Sequence, residues 1–451
     1  MLCEKCHHCG LCEGDGTNTN DDSSMRISLE GILPFVPVCS AVQDSKAGVA
    51  IDIGTTTIVC SLYALSSERR IATVSQANAQ RKYGSDVLSR IQFACQNENG
   101  SKLLHDSLVF QINSLLAQSL SIAAVNMPRG SRVDVRKIVI TGNTTMLSFA
   151  LSLNTSSLAF SPFTPPSLFD IDITYADVLK DARVNFAAVP LETSVYIPSV
   201  ISGFIGADTV CAMAALNFTN AEKKIVADIG TNCEMAIQTA KGDIICTSAS
   251  AGPAFEGGGV SAGMSACEGA IASSKIKSDE LGSKAIEYSV IGNGRAKGIC
   301  GTGLLSVIHS FLTLGFIDPY GTMQGDKGAL LLRDGISLLQ SDIRSIQLAK
   351  AAVRTGLDFL LQYDKSDMPL YLAGGFGTAV NISDVAFLGM IPPFLTKKTI
   401  AAGNVALSGA VAILLRDEYR AVARTIVKKA KSINLAEANG FQDSFIANIN
   451  F

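Results

Sequence analysis

The chain has 451 residues, 47% hydrophobic and 17% charged, which predicts roughly two to four domains of ordinary size and excludes an intrinsically disordered chain. Its 37 Lys and Arg against 40 Asp and Glu leave a formal net charge of −3, and no basic run marks a nucleic-acid face. Mean hydropathy is +0.30, yet the best apolar run found, Val405 to Leu415, is broken by Ser408 and Gly409 and falls short of the ~18 residues that a membrane span needs. No apolar signal-peptide core follows Met1-Leu2-Cys3, so a cytoplasmic location is expected, with neither nucleic acid nor membrane as partner. Twelve cysteines in that setting are expected to be thiols or metal ligands.

In chain order, residues 1–12 hold four of those cysteines, and residues 13–24 (EGDGTNTNDDSS) are small, acidic and polar. The reading is a Cys-rich tail with a flexible linker over 1–24 and a connecting segment over 25–47. Two α/β halves come next, at 48–220 and 221–451. They share an internal echo: Val49-Ala50-Ile51-Asp52-Ile53-Gly54-Thr55-Thr56-Thr57 matches Ile225-Val226-Ala227-Asp228-Ile229-Gly230-Thr231-Asn232-Cys233. Each copy is a β-branched run ending in Asp-Ile-Gly-Thr and followed by a second strand-like run, so a strand–turn–strand unit is duplicated one domain length apart. Asp134 to Thr141 reads as a strand entering a helix through Gly142-Asn143-Thr144-Thr145. Gly303 to Leu314 and Ser345 to Leu361 have helical spacing. Pro369 to Ala373 reads as a strand ending in Gly374-Gly375-Phe376-Gly377. A long helix from about Val405 to Lys431 closes the pattern, turning basic at its end as the helix dipole favours.

A phosphate tail needs close backbone N–H donors, hydroxyls, and a carboxylate to hold the neutralising metal. Asp-Ile-Gly-Thr-Thr-Thr supplies all three: Gly54 for the turn, Thr55 to Thr57 as donors, and Asp52 as a water-mediated Mg²⁺ partner. Asp228, Gly230 and Thr231 repeat the set. One such tetrapeptide is a common hairpin turn; two copies plus a later Gly-Gly-x-Gly form a specific pattern. Gly292-Asn293-Gly294 to Gly298 imitates a dinucleotide fingerprint, but its last glycine comes one residue late and the residues after it are not read as a helix, so a loop is expected. His105 and His309 each lie on a helix-like stretch without a partner His or Cys nearby and are expected as core or surface residues. The proline-rich Phe160 to Phe169 is expected as an extended loop, either a surface connection or a rim that meets a partner.

These residues resemble the superfamily of acetate and sugar kinases, heat-shock chaperone ATPases and actin. There, two ribonuclease-H-like domains clamp ATP between two phosphate loops and an adenosine loop. Within it the chain is most similar to the ATP-dependent reductive activators of corrinoid proteins, through Ile140 to Met146, Ala251 to Gly258, Gly298 to Leu304, Leu372 to Gly377 and the tail Phe441 to Phe451. The resemblance spans about Gly48 to Phe451. It implies phosphate loop one at Asp52 to Thr57, phosphate loop two at Asp228 to Asn232, and an adenosine loop at Ala373 to Gly377. The nucleotide contacts it implies are Gly54, Thr55, Thr56, Thr57, Asn143, Gly230, Thr231, Asn232, Gly301, Gly303, Gly374, Gly375 and Gly377, with Mg²⁺ beside Asp52 and Asp228. Asp208, in Gly206-Ala207-Asp208-Thr209, matches the catalytic base of some small kinases of the superfamily; as residue chemistry alone it equally suits a helix N-cap. Glu256 is either a Mg²⁺ or nucleotide contact or the polar end of a glycine-rich hinge.

Such activators usually carry a plant-type ferredoxin domain in front or ferredoxin-like clusters behind, and no such domain fits before Gly48. Instead Cys3, Cys6, Cys9 and Cys12 form C-x₂-C-x₂-C-x₂-C, which favours a [4Fe–4S] cluster over zinc, with an unligated reactive tail as the third option. The other eight cysteines are expected mostly as small core residues. The implied function is ATP-dependent reduction of a corrinoid protein from Co(II) to Co(I) in a methyltransferase system, with a low-potential electron donor and with a homodimer left open. A reactivating chaperone of a cobalamin enzyme and a small-molecule kinase are the alternatives.

Overall fold

The computed structural model describes residues 46–126, 133–180, 182, 184–278, 282–325, 328–377 and 379–451. The tail cysteines Cys3, Cys6, Cys9 and Cys12, the linker, and nearly all of the connecting segment lie outside the described residues. The chain divides into two compact units. Unit 1 comprises residues up to Glu222, Gly242–Ile244 and Asn404–Ser432; unit 2 comprises Lys223–Lys241, Ile245–Gly403 and Ile433–Phe451.

Unit 1 is built on strands β1 (Lys46–Ile53), β2 (Thr57–Ala64), β3 (Arg70–Ala77), β4 (Asp134–Gly142), β5 (Ile171–Thr174) and β6 (Ser194–Ile197), in the order β3-β2-β1-β4-β6-β5. β1 to β3 form an antiparallel meander, β1, β4 and β6 run parallel, and β5 is an added antiparallel edge. Period-two alternation sends Val49, Ile51 and Ile53 of β1 into one core, while Ala50 lies in a second core on the other face. The first core is covered by α1 (Val87–Gln96), α2 (Gly100–Asn126) and α3 (Thr144–Ala150). Asp52 shares the face of Ala50, and that parity decides its surroundings.

Helix α2 corrects the hydropathy reading. Gly100–Val125 is long and apolar enough to cross a membrane, at a mean hydropathy of 1.5 over its best window. Half of that window is buried, because Leu104, Leu108, Ile112, Leu115 and Leu116 fill the first core of unit 1. It is a core helix.

Helix α4 (Tyr175–Leu179) follows β5, and α5 (Ala207–Ala215) packs on the second core. Unit 2 repeats the topology. Its strands β7 (Lys224–Ile229), β8 (Cys233–Gln238) and β9 (Ile244–Ala249) make the meander; the hairpin β10 (Ala270–Ser278) and β11 (Lys284–Val290), with the short β12 (Gly298–Ile299), forms a separate small sheet. Helix α6 (Gly301–Thr313), a small hairpin of β13 (Ala329–Leu331) and β14 (Ser337–Leu339), and helix α7 (Gln340–Leu360) come next. β15 (Leu370–Ala373) and, beyond α8 (Gly374–Gly377) and α9 (Ile382–Phe387), β16 (Thr399–Gly403) then pair parallel beside β7, giving the order β16-β15-β7-β8-β9. Meander first, two parallel strands after: both units have the ribonuclease-H-like order.

The chain then returns to unit 1 at Asn404, so the closing helix does not belong with 221–451 as expected. Nor is it one helix. α10 (Val405–Leu415) and α11 (Glu418–Lys429) are separated at Arg416, whose backbone is extended. α10 is apolar all round because it is buried all round, against β1, β4 and α5. α11 is amphipathic, and the break lets Arg420 meet Asp172 and Arg424 meet Asp170, each at 2.9 Å, while Arg416 pairs with Glu68.

α5 and α10 meet backbone to backbone: a Cβ on Gly409 would lie 1.9 Å from the Cys211 carbonyl oxygen. Gly409→Ala is therefore expected to force the helices apart, at about 1–3 kcal/mol for overpacking, read as a lowered thermal midpoint. An unchanged midpoint would contradict this packing.

Candidate functional site

In open α/β sheets, ligands bind beyond the carboxyl ends of the parallel strands, and the motif residues of each unit gather there. In unit 1, Ile53 at the end of β1 lies opposite Gly142 at the end of β4. Phosphate loop one leaves β1 and Asn143 follows β4. Asn143 is the N-cap of α3, accepting from the Met146 N–H at 2.9 Å, and its Nδ2 donates to Thr55 Oγ1 at 3.1 Å. Gly54 is required by close approach, since a Cβ would sit 2.6 Å from the Thr57 carbonyl oxygen.

Asp52 and Asp208 face one another's charge on the second-core side of the sheet. Burial pushes Asp52 up to about 7, against the lowering effect of a hydrogen bond from Asn404, with the neighbouring Asp208 charge raising it further. Burial likewise pushes Asp208 up to about 6, although the Thr209 N–H and hydroxyl both donate to it. The expected N-cap role of Asp208 is not what the structure shows: the cap position is Gly206, and Asp208 is the second residue of α5. Sequence reasoning missed Asn404. Its Nδ2 donates to Asp52 Oδ2 at 2.9 Å while its Oδ1 accepts from Leu407 N–H at 2.8 Å, so one side chain caps α10 and anchors the site carboxylate. The sequence signal was an Asn directly before an apolar helix, which marks a cap but not a partner 352 positions away.

In unit 2, Asp228, next to last in β7, lies opposite Ala373 at the end of β15. Gly374, at φ 89°, is obligatory: a side chain there would come within 2.5 Å of Asp228 Oδ1. Gly375 is exposed beside it, and Gly377 closes the turn against Leu372. Phosphate loop two is one residue tighter than loop one between paired strand ends, Ile229 facing Cys233 where Ile53 faces Ile58. The Gly230 N–H donates to Asn232 O at 3.0 Å. Thr231 Oγ1 donates to Glu256 Oε2 at 2.5 Å, and Thr231 O accepts from the Gly252 N–H at 2.8 Å. Glu256 is thus tied to phosphate loop two. Gly301 and Gly303 open α6, which starts directly after Gly298-Ile299-Cys300, two residues before the helical stretch expected from Gly303. A Cβ on either would lie about 2 Å from the carbonyl of Phe255 or Ile271, so these glycines seat α6 beneath the turn that bears Glu256.

Gly294 to Lys297 is a loop, as expected, between a 3-10 turn at Ile291–Asn293 and β12, outside both sets. His105 is buried and bonds the Phe149 carbonyl; His309 bonds Asp384 at 2.7 Å. Cys60, Cys211, Cys233, Cys246 and Cys300 are buried, and Cys95 and Cys267 are exposed. Among the described residues, no group of three or more His, Cys, Asp or Glu side chains forms a metal cluster.

A family model described as the C-terminal domain of RACo, the ASKHA domain, matches residues 222–451, and one described as the RACo middle region matches 47–221. The chain belongs to the RACo family. It is similar to the corrinoid activation enzyme RamQ of Eubacterium limosum, at 28% identity over 94% of this chain and 73% of that protein. It is also similar to the Co(II) methylated amine-specific corrinoid protein reductase of Methanosarcina barkeri, at 26% identity over 90% of this chain and 77% of that one. A solved structure of a reductive activator for corrinoid, iron–sulfur protein superposes with a TM-score of 0.79 and 28% identity, covering 91% of this chain and 67% of that one. RACo membership and the duplicated topology agree on the actin and sugar-kinase class of ATPase.

Asp52 and Asp208 hold their protons more tightly in the folded chain than in the unfolded one, where an aspartate ionises near 3.8. Without divalent cations, the stability this pair contributes is full below about pH 4 and is lost as pH rises through about 6 to 7. Asp52→Asn, which removes the charge at constant size, is expected to raise the thermal midpoint by several degrees at about pH 8 and to leave it nearly unchanged at about pH 4. Equal midpoints at both pH values would show that Asp52 carries no such strain.

Proposed function

We propose that this chain hydrolyses ATP to drive the reduction of a corrinoid protein from Co(II) to Co(I) in a methyltransferase system. The observation that carries the reading is the match of Asp52, Gly54 and Thr55 in one unit to Asp228, Gly230 and Thr231 in the other, at the same place in the same topology. RACo membership and the names of the relatives support the corrinoid protein as partner.

The donor set suits Mg²⁺. Asp52 and Asp208 are two partly buried carboxylates whose ionisation is suppressed by burial and, for Asp52, by the charge of Asp208, and hard oxygen ligands of this kind favour small divalent cations. Each unit offers a strand-end carboxylate, Asp52 or Asp228, that would hold the ion through water, and the bound ion would neutralise phosphate oxygens. Asn143 orients the Thr55 hydroxyl, and Glu256 fixes Thr231. Asp208 commits Oδ1 to Thr209 and takes a proton from the attacking water at Oδ2; a carboxyl pushed up to about 6 accepts that proton more readily than an ordinary aspartate. Cobalt reduction to Co(I) is uphill for ordinary donors, and different affinities of two protein states for the nucleotide before and after hydrolysis can supply the difference.

The four thiols of Cys3, Cys6, Cys9 and Cys12 suit thiolate-ligated iron, and the reading assigns them a [4Fe–4S] cluster that serves electron entry. A low-potential electron donor and a cytoplasmic setting complete it.

Asp52→Ala and Asp228→Ala should each abolish Mg²⁺-dependent ATP hydrolysis while circular dichroism stays that of the wild type. Hydrolysis at the wild-type rate in both would sink the two-loop assignment, and a phosphorylated small-molecule product would point to a kinase. Deleting residues 1–24 should preserve ATP hydrolysis and stop cobalt reduction by a physiological donor, while Ti(III) still supports it. If the truncated protein activates its partner as fast as the full chain with that donor, the tail is not the electron entry.

A further inference from the structure

The backbone carbonyls of phosphate loop one are held one after another. The Gly54 carbonyl accepts from Asn78 Nδ2 at 2.9 Å, the Thr55 carbonyl from Arg90 Nη2 at 2.6 Å, the Thr56 carbonyl from the Asn78 N–H at 2.8 Å, and the Thr57 carbonyl from the Gly54 N–H at 3.0 Å. In a trans peptide the carbonyl of one residue and the N–H of the next point in opposite directions. Holding the Gly54 and Thr55 carbonyls on the inner side therefore turns the Thr55 and Thr56 N–H groups outward. Successive outward N–H groups form an anion-binding concavity.

Arg90 is 0% exposed, and each part of its fork is used. Nε donates to the Gly84 carbonyl at 3.0 Å, Nη1 to Gln80 Oε1 at 3.3 Å, and Nη2 to the loop. Asn78 is equally buried, at 1% exposure. Neither residue belongs to the Asp-Ile-Gly-Thr-Thr-Thr motif; Arg90 comes from α1, 35 positions beyond Thr55.

We infer that Arg90 and Asn78 are positioning residues for the triphosphate of ATP, pre-setting the peptide planes of phosphate loop one so that the Thr55 and Thr56 N–H groups are aimed before nucleotide arrives. The inference rests on the ATP reading above. The requirement is for the planar fork and not for charge alone, because a lysine ammonium is a point donor on a flexible stem and cannot serve acceptors in three directions at fixed geometry.

The test uses the full chain with Arg90→Lys, Arg90→Met and Asn78→Asp, in steady-state ATP hydrolysis and in equilibrium binding of a non-hydrolysable ATP analogue. Folded Arg90→Lys and Arg90→Met are both expected to raise KM for ATP by about tenfold or more with kcat reduced less than about threefold, since bound phosphate re-imposes the geometry that the free loop has lost. Asn78→Asp, which sets an acceptor against the Gly54 carbonyl, should weaken analogue binding to a similar degree. Should the Arg90 variants fail to fold, amide exchange on the wild type decides: the segment containing Thr55 and Thr56 should gain protection when the analogue binds. No analogue binding by the wild type would overturn the ATP reading itself. Wild-type binding with unchanged KM in the folded variants, or with no protection of that segment, would overturn the positioning role alone.

Discussion

A carboxylate that water solvates poorly, set beside a second one, is the constraint around which unit 1 is arranged. Asp52 is on the face it occupies because β1 alternates, and that face is packed by α5 and α10. The N-terminus of α5 brings Asp208, and the cap of α10 brings Asn404. The apolar packing that gives unit 1 its second core therefore also delivers both neighbours of Asp52, one repelling and one donating. An arrangement of this kind disfavours ionisation of both carboxyls.

In unit 2 the corresponding carboxylate is that of Asp228. Asp228 sits on the matching face of β7, and the space beside it is kept by Gly374, whose lack of a side chain lets the backbone after β15 pass close to the carboxylate. Glu256 holds the loop through Thr231, where unit 1 uses Asn143, Asn78 and Arg90. The echo in sequence thus extends to strand, turn and carboxylate and stops at the supports. These were recruited separately from surrounding helices and turns.

That boundary also marks how far the sequence could be read. Strand alternation, the two Asp-Ile-Gly-Thr turns, the Asn143 entry to α3 and the glycine turn after β15 are local patterns of backbone and side chain, so they were legible with their approximate limits. The partners of those residues were not. Asn404 reaches Asp52 only because the chain returns to unit 1 after β16, and nothing within a window of α10 records that return. Helix α2 passed unnoticed as a long apolar stretch because polar residues are spaced along it, although its buried face is continuous. The expected single helix over 405–431 missed the break at Arg416, a residue that pairs with Glu68 far earlier in the chain. In each case the contact concerned is long-range.

The return of α10 and α11 to unit 1 has a consequence for how the protein is made. Ala50, Tyr63, Val139 and Tyr196 are synthesised early, but α10, which completes their core, is among the last elements to leave the ribosome. At roughly 5–20 residues per second, the interval between α5 and α11 lasts on the order of ten to forty seconds. For that time the nascent unit 1 carries an apolar sheet face that α5 covers only in part, while most of unit 2 is being threaded out. Unit 1 cannot complete its second core until most of unit 2 has been translated, and a ribosome stalled in unit 2 leaves behind a chain whose exposed sheet is a ready substrate for a chaperone.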